Sequence, residues 1–136
     1  MKIKDQVVSL NLAKKLKKLG VEQDSLWYWI YNMVERVEKP HLKLKQQTTS
    51  WKVNKEDRDG GVIKYYSAFT VAELGNKLPG NTFSFKDKAW ICRWRDQVKG
   101  SVEFTNYQFP AKSEANARAK CLIYLIENTL PVKKEE

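Results

Sequence analysis

The stretch Ser113–Leu130, S-E-A-N-A-R-A-K-C-L-I-Y-L-I-E-N-T-L, decides the fold of this chain. Ser113 is a favourable N-cap, because its hydroxyl can accept a hydrogen bond from an unpaired amide of the first helical turn. Glu114 follows it, where a negative charge meets the positive end of the helix dipole. Apolar residues then recur at steps of three and four, which predicts one apolar stripe along an amphipathic helix: Ala115, Ala119, Leu122, Ile126 and Leu130. Because small residues lead this stripe, we expect the first half of the helix to lie close against a sheet.

The size and composition of the chain indicate a single domain over residues 1–136, with residues 1–7 and 131–136 as loose ends. A chain of 136 residues can bury roughly two-thirds of the surface that it exposes when unfolded. The formal net charge is +9, and the basic residues are spread along the chain. This excess of positive charge is compatible with nucleic acid, an acidic protein surface or an anionic membrane as partner.

A membrane-inserted or disulfide-rich protein is not expected. Two cysteines, Cys92 and Cys121, are too few for a disulfide framework. The N-terminus M-K-I-K-D-Q lacks the apolar core of a signal peptide, and the longest apolar run, Leu26–Tyr31, is too short to span a bilayer. We therefore expect a reduced, cytosolic setting and no membrane partner, while the oligomeric state stays open.

A helix and a strand are predicted in the N-terminal part of the chain. Ser9 is expected to cap a helix that Gly20 ends, because glycine fits the left-handed conformation just past a helix. Leu26–Tyr31 is rich in aromatic and branched residues, which predicts a strand. Apolar side chains occupy both the odd and the even positions of this strand, so either both of its faces are covered or one is a contact surface. Trp27 and Trp29 are therefore candidate binding residues.

Four lysines lie in the last turns of the first predicted helix, where they favour the helix dipole. They form a solvated face or bind phosphate, and the solvated face is the preferred interpretation: Lys14, Lys15, Lys17 and Lys18.

The middle of the chain carries a weaker pattern. Met33–Gln47 is a possible insertion, with a short helix and then a short strand around Leu42. A further strand is predicted over Thr48–Asn54. The charged turn Lys55–Gly61, which ends in two glycines able to take positive φ, is expected to join it as a hairpin to a strand near Val62–Phe69.

A capping box is predicted at Thr70-Val71-Ala72-Glu73, in which the Thr70 and Glu73 side chains each satisfy a free amide. The short helix that follows is expected to break at Pro79-Gly80. Phe83 and Phe85 come next, in a segment that we expect to be a loop.

The last two predicted strands are Trp90–Arg95 and Val102–Phe109, and Pro110 is expected to stop the pairing of the second. The chain is therefore predicted to be an α+β domain. It consists mainly of an antiparallel β-sheet, with an N-terminal helix, a short middle helix and a C-terminal helix packed on it. On the first of these strands, Trp90, Cys92 and Trp94 share one face, and Ile91, Arg93 and Arg95 share the other.

Three segments together resemble a known family. They are V-S-L-N-L-A-K-K-L-K-K-L-G-V-E-Q-D-S-L-W-Y-W, A-F-T-V-A-E-L-G-N-K-L-P and S-E-A-N-A-R-A-K-C-L-I-Y-L-I-E-N. They resemble a family of small uncharacterised proteins encoded by phages and prophages. The resemblance implies a mobile-element origin and the cytosol of a host cell. It implies no activity, cofactor or site residues, because the matching positions are caps and core residues.

The end of the chain is also similar to the end of double-stranded-RNA-binding domains, in which a strand pair is followed by such a helix. The basic loop and the lysine cluster that open the last helix of those domains are missing here. A middle helix also interrupts the predicted strands. We therefore do not assign the chain to that class.

The sequence lacks a constellation for catalysis or for a cofactor. A zinc site needs four close-spaced ligands, and His41, Cys92 and Cys121 do not supply them. A nucleophilic Cys–His pair is less favoured than two small buried hydrophobic cysteines. Gly60-Gly61 lacks the lysine and the helix of a phosphate-binding loop. We therefore expect no metal, no cofactor and no enzyme.

Basic residues interleaved with aromatic ones are the strongest functional signal. Arg93 and Arg95 flank Trp94, with Tyr107 and Lys99 on the neighbouring strand. Such a set can bind phosphate and stack on bases, or form a protein-binding hot spot. In the alternative interpretation, Trp90 and Trp94 face the core and the arginines face water, with Glu103 as a cross-strand partner.

The preferred hypothesis is a non-enzymatic phage accessory protein that binds a host macromolecule, with a host protein as the expected partner. The alternative is a basic module that binds nucleic acid through an Arg/aromatic sheet face. A third hypothesis, an enzyme that uses scattered carboxylates, has the least support.

Overall fold

The computed structural model describes residues 2–32, 41–44, 63–97 and 104–128. Three α-helices and six strands lie in these ranges, together with a 3-10 turn at Ile3–Asp5. Their order is α1 (Leu10–Lys18), β1 (Trp27–Asn32), β2 (His41–Leu44), β3 (Ile63–Ser67), α2 (Val71–Lys77), β4 (Thr82–Lys86), β5 (Trp90–Gln97), β6 (Phe104–Ala111) and α3 (Glu114–Asn128). The predicted α+β domain with antiparallel strands and three helices is confirmed, and its described strands form two sheets.

Helix α3 is the element that both halves of the core share. The Ser113 hydroxyl accepts a hydrogen bond from the Asn116 amide at 3.2 Å, which confirms the predicted N-cap. Four residues of the apolar stripe inferred from the sequence pack into a first cluster together with α1, α2 and residues of the first sheet, and the fifth, Leu130, lies outside the described residues. This cluster is formed by Val8, Ala13, Leu16, Phe69, Leu74, Ala115, Ala119, Leu122, Ile123 and Ile126.

A second buried stripe, which the sequence analysis missed, lies on another side of α3. Ala117, Cys121 and Leu125 are buried at steps of four, and they pack against Cys92 and Trp94 of β5 in a second cluster. Helix α3 therefore contacts β5 and β6 on one side and the first cluster on the other. Small residues at the helix start permit this double contact, because large side chains there would hold the neighbouring elements apart.

The first sheet has the strand order β2-β1-β3, and both pairs are antiparallel. The predicted strand around Trp27–Tyr31 is confirmed as β1, and the short strand around Leu42 is confirmed as β2. In β1, Tyr28 is fully buried on one face, while Trp29 packs against the first cluster on the other. Both faces of β1 are therefore covered at these positions.

The second sheet has the order β4-β5-β6, also antiparallel, and it corrects two predictions. The segment of Phe83 and Phe85 is not a loop: it is strand β4, paired with β5 from Thr82 to Lys86. Pro110 does not stop the pairing of β6, because it lies opposite Ile91 within the register. β6 is an edge strand of this sheet, and an edge strand tolerates a proline that offers no N–H to its partner.

Helices α1 and α2 begin and end at the predicted residues, with one difference. Gly20 has φ 90°, as expected for the left-handed stop, and the capping box of Thr70 and Glu73 is present. Ser9 is the N-cap of α1, but its hydroxyl makes no capping hydrogen bond. Its backbone N–H instead donates to Oδ1 of Asn116 on α3 at 2.8 Å.

Helix α2 lies between the two sheets in the sequence and does not interrupt the second one, because β4, β5 and β6 follow it consecutively. Residues 2–7, expected to be a loose or strand-like lead-in, hold the 3-10 turn and a bridge from Val7 to Thr70. The predicted helix after Met33, the strand Thr48–Asn54 and the turn Lys55–Gly61 lie outside the described residues.

A candidate binding face on the second sheet

The alternation of side chains along β5 gives the second sheet two different faces. Cys92 and Trp94 point toward α3, so Ile91, Arg93 and Arg95 point away from it. The register extends this division to the neighbouring strands, since Phe83 lies opposite Arg93. We call the side away from α3 the outer face, and its described side chains are Phe83, Phe85, Ile91, Arg93, Arg95, Asn106, Gln108 and Pro110.

Arg93 lies across two phenylalanine rings of β4. The centre of its guanidinium is 4.9 Å from the centroid of the Phe85 ring and 5.6 Å from that of Phe83. The two rings are 5.9 Å apart and tilted by 31°. A guanidinium over an aromatic face is attracted by the ring quadrupole, so this arrangement fixes the direction of the Arg93 side chain.

The outer face is open and positively charged. Phe83 is 45% exposed, and Arg95 is exposed as well. Nε of Arg95 donates to Oδ1 of Asn106 at 3.3 Å. Nε of Arg93 is buried and has no hydrogen-bond partner among the described residues. The described strand positions of this face include two arginines, no lysine and no acidic residue.

Trp94 and Tyr107, two of the candidate binding residues, lie on the opposite side of the sheet from Arg93 and Arg95. Trp94 is 8% exposed and stacks on Tyr107 with centroids 5.1 Å apart. Tyr124 of α3 contacts both rings. The structure agrees with the alternative interpretation for Trp94, which lies in the core, and for Arg95, which is exposed, whereas Arg93 is half-buried against the two phenylalanines.

Trp27 and Trp29 belong to the first sheet, away from the strands that carry the arginines. Nε1–H of Trp29 donates to the backbone oxygen of Val8 at 2.8 Å, and its ring packs on the first cluster. Trp27 is half-buried opposite Leu44. Lys99 and Glu103 lie outside the described residues.

Phe83 and Phe85 are the residues of this face that the sequence analysis missed. The signal was present in T-F-S-F-K, where apolar and small polar residues alternate with the period of a strand. Thr82 and Ser84 point toward the helices, and Ser84 accepts a hydrogen bond from Nε of Arg118 at 3.1 Å. The apolar residues of this edge strand therefore face outward, which is the reverse of an ordinary core strand.

The lysines of α1 pack on tyrosines of the first sheet. Nζ of Lys17 lies 4.2 Å from the ring centroid of Tyr65 and donates to the Tyr65 backbone oxygen at 2.8 Å. Lys15 pairs with Glu127 at 3.6 Å. Nζ of Lys14 lies 5.8 Å from the ring centroid of Tyr66. Three of the four lysines therefore have structural partners, which weakens the case for a phosphate site there.

The acidic residues with the most contacts also have structural roles. Glu73 belongs to the capping box, and Glu114 pairs with Arg118 at 3.3 Å. In the described ranges, no three His, Cys, Asp or Glu side chains are placed to hold a metal ion together. The outer face is the site at which the predicted Arg93 and Arg95 lie together with two aromatic rings.

Comparison with family models, with curated proteins and with solved structures finds no match to this chain. None of the helices in the described part of the chain is long and apolar enough to cross a membrane.

Proposed function

We propose that this protein is a non-enzymatic accessory protein of phage or prophage origin that binds a host protein in the cytosol through the outer face of its second sheet. The observation that supports this function most is that Arg93 lies across the rings of Phe83, which is exposed, and Phe85, which is half-buried. Aromatic residues and arginine carry most of the binding energy in protein interfaces. Lysine is depleted in such interfaces, and the described outer face has none.

The chemistry of the face defines the partner that it suits. The two arginines of the outer face carry positive charge, which complements an acidic segment. The half-exposed ring of Phe83 complements an apolar side chain next to that segment. The expected partner is therefore a protein that presents acidic and apolar residues together.

The test identifies a partner by cross-linking the full chain in host lysate, and then measures the purified pair by calorimetry. Phe83→Ala and Arg95→Ala should each weaken binding by ~30-fold, as expected for hot-spot residues worth about 2 kcal/mol. Lys64→Ala removes one positive charge from an exposed position of β3 and should leave the affinity unchanged. Equal losses in Arg95→Ala and Lys64→Ala, with Phe83→Ala unchanged, would mean that net charge, rather than the outer face, drives the association.

Nucleic acid is the second candidate partner, because the same face combines a tilted pair of aromatic rings with arginine in a chain of charge +9. Bases that stack on aromatic side chains contribute about 1–3 kcal/mol each. Fluorescence anisotropy with single-stranded DNA and RNA at two salt concentrations decides between the candidates. Tight binding that falls steeply with salt and is lost in both Phe83→Ala and Arg95→Glu would favour nucleic acid over protein.

A further inference from the structure

Two cysteines that are far apart in the sequence both lie in the second cluster. Cys92 of β5 and Cys121 of α3 are both fully buried and both reduced. Among the described residues, both belong to a cluster of five buried residues, which Trp94, Ala117 and Leu125 complete. A strand residue and a helix residue thus place two thiols in one small buried cluster, and a disulfide between them would join β5 to α3.

A small cavity connects Cys92 to a positively charged group. It has a volume of about 50 Å³ and is lined by Gly75, Leu78, Pro79, Thr82, Phe83, Cys92 and Arg118. That volume accommodates a molecule of the size of water or hydrogen peroxide. Three contacts fix the Arg118 guanidinium at this wall: Val71 oxygen at 3.2 Å, Ser84 Oγ at 3.1 Å and the Glu114 carboxylate at 3.3 Å.

The two sulfur atoms have different proton affinities. The pKa of Cys92 is lowered, because the Cys121 thiol donates to its thiolate and Arg118 lies nearby, and these effects outweigh burial and Glu114. The pKa of Cys121 is raised by the same hydrogen bond and by burial. A thiolate that accepts a hydrogen bond from a protonated neighbouring thiol is the arrangement of an attacking cysteine beside a resolving cysteine.

We infer that Cys92 and Cys121 form a peroxide-reactive dithiol, which closes a disulfide between β5 and α3. The Cys92 thiolate attacks one oxygen of hydrogen peroxide, the O–O bond breaks, and hydroxide leaves beside Arg118 and takes up a proton. The Cys121 sulfur then attacks the resulting sulfenic acid. The S–O bond breaks, the S–S bond forms, and water leaves with the Cys121 proton. Overall, two thiols are oxidised and one peroxide is reduced to two water molecules.

The experiment follows thiol loss and intact mass of the reduced full-length protein after addition of hydrogen peroxide. The wild type should lose both thiols and two hydrogen atoms, and peptide mapping should find the bond between Cys92 and Cys121 within one chain. Cys121→Ala should stop at a sulfenic acid on Cys92, which dimedone traps. Cys92→Ala should leave Cys121 unreactive.

Arg118→Gln should slow the first step several-fold, because the Cys92 thiolate loses its cationic neighbour. Arg95→Gln removes the same charge from the outer face and is the matched control, expected to react at the wild-type rate. Circular dichroism checks that each variant is folded. If a variant does not fold, the wild type alone decides the question. Its disulfide is located by peptide mapping, and the rate at which peroxide oxidises its thiols is compared with the rate for the chain unfolded in urea.

Three results would overturn the inference: thiols that react only when urea unfolds the chain, a disulfide between two chains, or a first adduct on Cys121. Because cytosolic disulfides are usually transient and redox-sensing, reversal by a dithiol reductant should restore both thiols.

Discussion

The guanidinium of Arg118 occupies the space that a side chain at Gly75 would fill. A Cβ atom at Gly75 would collide with Nη1 of Arg118. That nitrogen donates to the backbone oxygen of Val71, and the rest of the group binds Ser84 and Glu114. Glycine in the middle of α2 therefore allows one arginine of α3 to join α2, α3 and β4.

Gly75→Ala should destabilise the protein, although alanine is normally favoured over glycine in a helix by about 1 kcal/mol. The new methyl group displaces Arg118 from hydrogen bonds of a charged group, which contribute about 1.5–3 kcal/mol each. We expect the free energy of unfolding in urea to fall by about 1 kcal/mol. Asn76→Ala, at the exposed next position of α2, should instead raise it slightly. Equal stabilisation by both substitutions would show that the guanidinium moves aside freely.

Glu73 should contribute more to stability than its partner in the capping box. Oε1 of Glu73 accepts from the Thr70 amide at 2.8 Å, while Oε2 accepts from the Leu26 amide at 3.0 Å. Glu73→Ala leaves two amides unpaired, whereas Thr70→Ala leaves only the Glu73 amide, which donates to the Thr70 hydroxyl at 3.2 Å. We expect losses of about 2 and about 1 kcal/mol in urea unfolding. The reverse order would mean that the Leu26 contact contributes nothing.

Asn116 joins the starts of two helices, because its Oδ1 accepts from the Ser9 amide at 2.8 Å. Asn116→Ala should lower the free energy of unfolding by about 1 kcal/mol, since the amide of Ser9, the N-cap of α1, loses its acceptor. Asn116→Asp keeps an oxygen at that position and should recover most of the loss. If aspartate destabilises as much as alanine does, the hydrogen bond from the Ser9 amide to Asn116 does not contribute to stability, because water replaces it.

The sequence was sufficient for elements that local chemistry determines. The cap at Ser113, the capping box at Thr70 and the stop at Gly20 depend on neighbours within a few residues, and all three are present. The two faces of β5 also followed from simple alternation. Each of these features needs no knowledge of distant parts of the chain.

The features that were missed depend on long-range packing. The Ala117–Leu125 stripe is less apolar than the other stripe on α3, and it belongs to the core only because β5 packs against it. Phe83 and Phe85 face outward on an edge strand, so a rule that places phenylalanine inside could not locate them. The placement of Cys92 and Cys121 in one cluster depends on how β5 packs on α3, which no local pattern encodes.

The two faces of the second sheet should differ sharply in their effect on stability. Trp94 is nearly buried between Tyr107 and Tyr124, so Trp94→Ala should cost about 3–5 kcal/mol. Phe83 is half-exposed, and Phe83→Ala should cost at most about 1 kcal/mol, including the lost contact with Arg93. Urea unfolding of both variants measures the contrast. Similar losses would place Phe83 in the core and remove it from the binding face.

Tyr124 should make the protein less stable at alkaline pH. The pKa of Tyr124 is raised above its ordinary value, chiefly because the hydroxyl is partly removed from water, and then because the Tyr107 hydroxyl and Asp96 lie close. As the pH passes about 10, the unfolded chain releases the tyrosine proton before the folded one does, so the free energy of unfolding falls. The stabilisation that the raised pKa of Tyr124 provides is complete below about pH 10, and it is lost as the pH rises through the pKa of Tyr124 in the folded protein. Urea midpoints measured at about pH 8 and about pH 11 should therefore drop further in the wild type than in Tyr124→Phe. Equal drops would show that Tyr124 ionises in the folded protein as readily as in the unfolded chain.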